Sequence, residues 1–216
     1  MRIAMIGAGA MGAMFGARFA EAGAEVILHD RDTEHLAAIA GDGLLVETPA
    51  APIRRRLATA ADARTIGAVD LAVVLVDSNA TPSVATLLGE ALPGAVPVLT
   101  LQNGIGNIEA LSVALGSGRV IGGSTYNSAA KLGPGHVRHS NIGETTIGEL
   151  DGRPSERIAR VADLFRRAGL PVAVSDNVIG HIWMKFVLNA AINPVCAITG
   201  LRPGEAARVE PARDLM

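Results

Sequence analysis

Only one cysteine, Cys196, is present among the 216 residues of the chain. A single thiol excludes an internal disulfide framework and is typical of proteins in a reducing compartment. Cys196 lies in the apolar run 195–198, which favours a packed thiol over a catalytic nucleophile. We therefore expect a cytoplasmic protein, with a sizeable core built from the 49% of residues that are apolar.

An excess of charge of either sign is also missing, because 19 Lys and Arg residues stand against 21 Asp and Glu residues. A balanced chain lacks the basic footprint by which proteins bind nucleic acid. The basic run 54–56 is the local exception, and we interpret it as a solvated surface stretch. We predict no nucleic-acid partner.

Long apolar runs and clusters of metal ligands are absent as well. The longest uninterrupted core stretch, 71–76, is far too short to span a membrane. The apolar N-terminal run is cut by glycines, which is typical of a strand and not of a signal peptide. His136 and His139 would lie on different faces of a strand. We predict neither a membrane partner nor a metal site.

What the chain does contain is a glycine-rich turn near its start. An apolar β-type run from Ile3 breaks at Gly7, Gly9 and Gly12 and continues as a helical pattern over 10–21. In a dinucleotide-binding turn the first glycine permits the bend, the second admits the pyrophosphate, and the third lets helix and strand pack closely. The free N–H groups at the helix start would then hold the phosphates.

A second strand is predicted at 25–29, and Asp30 and Arg31 follow at its tip. The adenosine ribose of a dinucleotide lies at this tip. An acidic residue accepts hydrogen bonds from the ribose hydroxyls of NAD, whereas an arginine accommodates the 2′-phosphate of NADP. The two neighbours therefore favour different coenzymes, and both are also compatible with plain exposed loop charges.

Strand patterns alternate with amphipathic helical patterns over the first 175 residues. This alternation predicts an α/β fold with a Rossmann-type, doubly wound and mainly parallel sheet. The alternating runs 136–141 and 144–149 predict an antiparallel hairpin attached to that sheet. We expect a dinucleotide-binding domain over 1–175 and the truncated beginning of an all-helical substrate or dimerisation domain over 176–216.

The predicted strand 96–101 leads directly into Gln102, Asn103 and Gly104. Ligands of open α/β sheets bind beyond the carboxyl ends of the strands, so the Asn103 amide is placed to meet a nicotinamide or a substrate. An Asn-Gly turn chosen for its backbone conformation explains the same residues equally well.

The predicted helix 178–193 is apolar on most of its surface, and Pro194 is expected to break or kink it. Such a helix has to be covered by a partner chain or by more of a second domain, and we expect a homodimer. Lys185, Asn189 and Asn193 recur every four residues and share one face. Facing a cleft, Lys185 would protonate a carbonyl oxygen; facing solvent, it would have no such role.

Three segments together resemble the ketopantoate reductase family (2-dehydropantoate 2-reductase). They are the turn 7–12, the run 102–104, and the helix pattern of Trp183, Lys185, Asn189 and Asn193 followed by proline. The resemblance extends in order over nearly the whole chain. It implies reduction of 2-dehydropantoate, a small 2-keto acid, to (R)-pantoate with NADPH, in the pathway to pantothenate.

The resemblance also implies roles for individual residues. Lys185 matches the proton donor. Asn103 matches an asparagine that contacts cofactor and substrate, and Asn189 and Asn193 match substrate-binding asparagines. The implied cofactor contacts are Gly7, Ala8, Gly9, Ala10, Met11, Gly12, Arg31 for the 2′-phosphate, Asn103 and Ser128.

Three positions depart from the family pattern: Asp77, where the family often has a lysine, Asp30, which opposes a 2′-phosphate, and Pro203, near an expected substrate asparagine. Two other functions therefore stay open. One is an NAD-dependent D-2-hydroxyacid dehydrogenase of the same superfamily. The other is a non-catalytic module that binds a dinucleotide without turnover.

Overall fold

The computed structural model describes all residues from Met1 to Met216. The strands are β1 (Arg2–Ile6), β2 (Glu25–His29), β3 (Leu44–Glu47), β4 (Ile53–Arg55), β5 (Ala58–Ala60), β6 (Leu71–Val74), β7 (Val98–Thr100), β8 (Val120–Thr125), β9 (Ser128–Gly133), β10 (His136–Asn141), β11 (Thr145–Glu149) and β12 (Val172–Val174). The α-helices are α1 (Ala10–Glu21), α2 (Thr33–Asp42), α3 (Thr81–Ala91), α4 (Asn107–Leu115), α5 (Glu156–Arg167), α6 (Val178–Thr199), α7 (Pro203–Ala206) and α8 (Glu210–Leu215).

Eight strands form a large, mainly parallel sheet in the order β12-β11-β8-β7-β6-β1-β2-β5. The β8–β11 pair is antiparallel, and the other neighbours run parallel. The predicted Rossmann-type fold is confirmed. The strand order reverses beside β1, and at such a switch point the carboxyl ends of neighbouring strands leave a crevice for a ligand.

The core lies on both faces of this sheet. Alternate residues of β1 point to opposite sides, so that Ile3 and Met5 join one buried cluster and Ala4 and Ile6 join the other. The first cluster includes Phe15, Phe19 and Phe165 of α1 and α5, whose rings pack against one another at centroid distances of 5.0 to 5.8 Å. Helices α3 and α4 cover the second cluster through side chains that include Leu88 and Leu111.

The predicted hairpin of 136–141 with 144–149 is wrong. β10 pairs with β9 and β3 in a separate four-stranded sheet of order β4-β3-β10-β9, whereas β11 pairs with β8 and β12 in the large sheet. Every residue of β11 is buried, which is typical of a strand inside a covered sheet. Alternation identified both strands but not their partners, because pairing depends on contacts that are distant in sequence.

Helix α6 continues through Pro194 to Thr199, so the predicted break at the proline does not occur. Proline has no N–H to donate within a helix, but one lost bond did not end these six turns. Large side chains on α6 remain exposed, among them Trp183 at 50% and Met184 at 61%. The short helices α7 and α8 cover only its C-terminal end, where Val195 packs with Ala206 and Ala212.

Helix α6 also has the length and composition to cross a membrane, with a mean hydropathy of 1.3 over an 18-residue window. The sequence-based expectation rested on uninterrupted apolar runs. Helix α6 meets the criteria of length and mean hydropathy although single polar residues interrupt it. One such helix is only weak evidence for a membrane-spanning segment, because core helices of soluble proteins meet the same criteria. The predicted absence of a membrane partner stays a prediction.

Candidate functional site

The glycine turn between β1 and α1 is tightly packed at Gly7 and Gly12 and open at Gly9. Gly7 adopts φ +93°, and a Cβ there would lie 2.9 Å from the Leu75 carbonyl carbon. A Cβ on Gly12 would lie 1.9 Å from the Gly7 carbonyl oxygen. A Cβ on Gly9 would meet nothing within 4 Å. Gly7 and Gly12 therefore shape the turn, and Gly9 leaves open space over it.

The N-terminus of α1 is suited to an anion. Gly9 is its N-cap residue and provides no side-chain cap, and the first turn contains no acidic side chain. Backbone N–H groups at such an end are free to bind phosphate oxygens, and the helix dipole adds to the attraction. The residues present therefore fit the pyrophosphate of a dinucleotide.

At the tip of β2, Asp30 is half-buried and Arg31 is exposed. The Asp30 Oδ1 accepts the Asp32 backbone N–H at 3.0 Å, which fixes its carboxylate. Asp32 caps α2 by accepting the His35 N–H, and its Oδ2 lies 2.5 Å from the Lys131 Nζ. The hydrogen bond from Lys131, followed by that from the His35 backbone, lowers the pKa of Asp32. Arg31 forms no ion pair, so its guanidinium is free for a ligand.

On the other side of β1, α6 directs Lys185 to the carboxyl ends of β7 and β8. Its Nζ donates to the Asn103 Oδ1 at 2.8 Å and to the Thr125 carbonyl oxygen at 2.5 Å. Burial lowers the pKa of Lys185 below its usual value. Of the two sequence interpretations, the structure therefore supports a lysine that faces the cleft.

A buried polar network holds Asn103 in place. The Asn103 carbonyl oxygen accepts from Ser78 Oγ at 3.0 Å and from Asn107 Nδ2 at 3.1 Å. Thr81 Oγ1 donates to Asn107 Oδ1 at 2.8 Å and accepts from Gln102 Nε2 at 2.8 Å. The Thr81 hydroxyl therefore joins this network and does not cap α3. Satisfied buried networks are rigid, so the Asn103 backbone has little freedom.

A second network surrounds Thr125. Its Oγ1 lies 2.8 Å from the Thr145 Oγ1 and accepts from Asn127 Nδ2 at 2.9 Å. Asn127 Oδ1 contacts His139 Nε2 at 2.9 Å. Since Asn127 Nδ2 also donates to the Gly143 carbonyl at 2.7 Å, Oδ1 is the acceptor and His139 is the donor through Nε2. Burial, with a smaller contribution from Arg18, lowers the pKa of His139 and keeps the ring neutral.

These groups surround one cavity of about 230 Å³. Its lining comprises Met11, Leu75, Val76, Asp77, Ser78, Leu101, Gln102, Asn103, Thr125, Asn127 and Lys185. The cavity thus joins the glycine turn, through Met11, to the lysine and asparagine predicted from the sequence. A larger depression of about 460 Å³ lies at Glu149 and Arg157, but these two side chains already form an ion pair with each other.

Not every predicted site residue lies at this cavity. Asn189 is half-buried one turn beyond Lys185, and Asn193 is exposed a further turn along α6. Ser128 is exposed at the start of β9, and Arg31 lies at the tip of β2. None of the four is among the residues that line the cavity.

Sequence reasoning missed several groups that the structure places here. The Thr125 acceptor is a backbone carbonyl, for which no sequence signal exists. Asn107 lies four residues after Asn103, and that spacing would have been a usable signal. Tyr126 and Asn127 follow β8 directly, and the rule that placed Asn103 after β7 applies equally to them.

Comparisons with known proteins show which family this chain resembles. The family model described as "Ketopantoate reductase PanE/ApbA" matches residues 3–152, and its C-terminal counterpart matches 177–216. A 2-dehydropantoate 2-reductase of Halobacterium salinarum is 35% identical, and the alignment covers 100% of this chain and 71% of the relative. One of Pyrococcus horikoshii is 36% identical, covering 94% of this chain and 66% of the relative.

Two solved structures extend the comparison. A 2-dehydropantoate 2-reductase from Geobacter metallireducens superimposes with a TM-score of 0.92 at 31% identity, covering 99% of this chain and 71% of that one. A D-mandelate dehydrogenase with NADH and anilino(oxo)acetate gives a TM-score of 0.91 at 27% identity, covering 99% of this chain and 69% of that one.

Proposed function

This chain belongs to the ketopantoate reductase family, and on that premise we propose that it reduces 2-dehydropantoate to (R)-pantoate with a nicotinamide coenzyme. The observation that carries the proposal is the hydrogen bond from Lys185 Nζ to Asn103 Oδ1, 2.8 Å long, at a cavity that Met11 of the glycine turn also lines. A proton donor and a coenzyme turn that share a cavity are what the reduction of a carbonyl requires.

The reduction divides between coenzyme and protein. When bound, a reduced nicotinamide would supply the hydride that the C2 carbonyl carbon of the keto acid requires. The carbonyl oxygen then gains negative charge, and Lys185 stabilises it and transfers a proton to it. Two of the three N–H groups of the Lys185 ammonium are bound to Asn103 and Thr125, which leaves one for the substrate oxygen. The neutral amine regains its proton from solvent.

Asn103 contributes through the orientation of its amide. Because Oδ1 accepts from Lys185, the Nδ2 group is free to donate to the substrate or to the carboxamide of the coenzyme. Asn189 and Asn193 continue the Lys185 face of α6 and are proposed to bind the carboxylate or hydroxyl of the substrate. Residues 176–216 are proposed as the beginning of a helical substrate domain, with 1–175 as the dinucleotide domain. A homodimer and a cytoplasmic location complete the proposal.

We propose NADPH as the preferred coenzyme, with the unpaired Arg31 guanidinium as the partner of its 2′-phosphate. Asp30 supports the opposite preference, since its fixed, half-buried carboxylate suits the ribose hydroxyls of NADH. The remaining proposed contacts are the backbone of the turn 7–12 with the pyrophosphate, and Ser128.

A second candidate function is an NAD-dependent D-2-hydroxyacid dehydrogenase. Asp30 favours it, as does the likeness to a D-mandelate dehydrogenase solved with NADH.

Steady-state rates test the proposal. Purified protein is assayed with NADPH and NADH on ketopantoate, phenylglyoxylate and branched 2-keto acids. A kcat/KM that is highest for ketopantoate with NADPH supports the proposal, and a maximum for phenylglyoxylate with NADH establishes the second candidate. Coenzyme binding without turnover on any of these keto acids would contradict both and would indicate a binding module.

A further inference from the structure

Tyr126 joins the large sheet to the small one, between the end of β8 and the start of β9. Its backbone is held on both sides: its N–H donates to the Glu144 carbonyl at 2.9 Å, and its carbonyl accepts from Asn141 Nδ2 at 2.9 Å. Gly143 packs so closely that a Cβ there would lie 2.4 Å from the Tyr126 carbonyl oxygen. The backbone that carries the ring is therefore held in place, although 51% of the residue is exposed.

The Lys185 ammonium lies over this ring, with Nζ 5.7 Å from the ring centroid. We propose that Tyr126 is a positioning residue for Lys185, because the face of its ring attracts the ammonium group and holds it charged at the cleft. An aromatic face carries negative electrostatic potential, and a cation within about 6 Å of the centroid is attracted to it. The attraction acts on the protonated lysine and not on the neutral amine.

The hydrogen-bond partners of Lys185 do not balance its positive charge. Asn103 and Thr125 provide the two oxygen acceptors, and both are neutral. No carboxylate pairs with Lys185, so nothing of opposite charge offsets its burial. The π face of Tyr126 is thus the group available to stabilise the charge without taking up the N–H that the substrate needs.

Charged groups elsewhere do not account for the behaviour of Lys185. Burial lowers the pKa of Lys185, and no nearby charged group contributes to that shift. Besides Lys185, the titratable and charged groups of α6 are His181 and Cys196. Those of the elements packed against α6 and of the cavity wall are Glu149 of β11, Glu205 of α7, Glu210, Arg213 and Asp214 of α8, and Asp77. Strand β8 contributes none.

The inference rests on the proposed function, since it concerns the same proton donor, but it can be tested without turnover. The chain contains two lysines, Lys131 and Lys185. The protein is labelled with acetic anhydride over a range of pH, and mass spectrometry quantifies the acetylation of each lysine. The midpoint for Lys185 gives its pKa, and Lys131 serves as the internal reference.

Tyr126→Leu removes the π face, and Tyr126→Phe keeps it without the hydroxyl. We expect the pKa of Lys185 to fall by about half a unit in Tyr126→Leu, an increase of about threefold in its reactivity at a fixed pH below the pKa. Tyr126→Phe should keep the wild-type value. In steady-state assays the high-pH limb of kcat should move down by the same amount in Tyr126→Leu alone.

Equal pKa values of Lys185 in Tyr126→Leu and wild type would overturn the inference, as would a shift of the same size in Tyr126→Phe. Should the leucine variant prove unstable in a thermal melt, Tyr126→Met, which keeps a similar volume without a ring, replaces it. If the labelling shift occurs but the protein reduces no keto acid, the proposed function fails while the role of Tyr126 stands.

Discussion

Lys185 and Asn103 lie 82 positions apart in the chain and are joined by a hydrogen bond of 2.8 Å from Nζ to Oδ1. The bond connects α6, which follows the last strand of the large sheet, to the loop after β7. It assigns both side chains an orientation, because it fixes which end of the Asn103 amide remains free and where the ammonium points.

Replacing Lys185 by alanine removes the proposed proton donor. We expect Lys185→Ala to lower kcat by about 10²–10⁴-fold, the usual contribution of a positioned acid, while the coenzyme Kd is unchanged. Turnover and coenzyme fluorescence titration measure the two effects. The matched control is Met184→Ala, at the preceding and 61% exposed position, which should keep wild-type kcat. Unchanged turnover in Lys185→Ala would refute the assignment.

The pH dependence of kcat follows from the same residue. Because the protonated lysine is the donor, kcat should fall as pH rises through the pKa of Lys185. Burial lowers that pKa, so the fall should begin below the usual lysine value of about 10.4. A pH–rate profile with saturating coenzyme and substrate checks this. A kcat that increases across the alkaline range would contradict a protonated donor.

Two glycines of the turn should respond differently to alanine. Gly9→Ala meets no neighbour within 4 Å, so we expect a nearly unchanged Tm but a coenzyme Kd at least tenfold weaker, because the new methyl group occupies the space proposed for the pyrophosphate. Gly12→Ala would place a Cβ 1.9 Å from the Gly7 carbonyl oxygen and should lower the Tm itself. Thermal melts and coenzyme titration separate the outcomes, and a normal Kd in Gly9→Ala would exclude this turn as the phosphate site.

Coenzyme preference should depend on Arg31. We expect Arg31→Ala to raise the KM for NADPH about tenfold or more, since a charge-assisted contact to the 2′-phosphate is lost, and to leave the KM for NADH nearly unchanged. Arg56→Ala, an exposed arginine away from the β2 tip, is the control for loss of one positive charge. Equal effects on both coenzymes would assign Arg31 a role unrelated to the phosphate.

Local patterns predicted the elements of the fold well. The bounds of α1 and β2 agree with the sequence-based ranges, because hydrophobic periodicity and glycine positions determine them locally. Pairing was less predictable. The predicted hairpin was wrong because β10 and β11 pair with strands that are distant in sequence. Hydrophobic periodicity shows that a segment is a strand but does not show which strand it pairs with.

The candidate site was predictable in its side chains and not in its surroundings. Lys185 and Asn103 stood out as polar residues at meaningful places, but cleft and solvent positions for the lysine were equally compatible with its spacing. The tertiary contact with Asn103 decides between them. The network of Gln102, Thr81 and Asn107 forms where the loop after β7 meets the first residues of α3 and α4, and no single stretch of sequence encodes that meeting.

One acceptor of the Lys185 ammonium is the main-chain oxygen of Thr125. A codon change at position 125 replaces the side chain and its bond to Thr145 but leaves that oxygen in the chain. One of the two hydrogen-bond acceptors of the Lys185 ammonium therefore cannot be removed by a substitution at position 125, provided that β8 keeps its register. Sequences that differ at position 125 can therefore retain the same lysine geometry. A library randomised at this position would change the side-chain contacts around Thr125 but keep the backbone oxygen that accepts from Lys185.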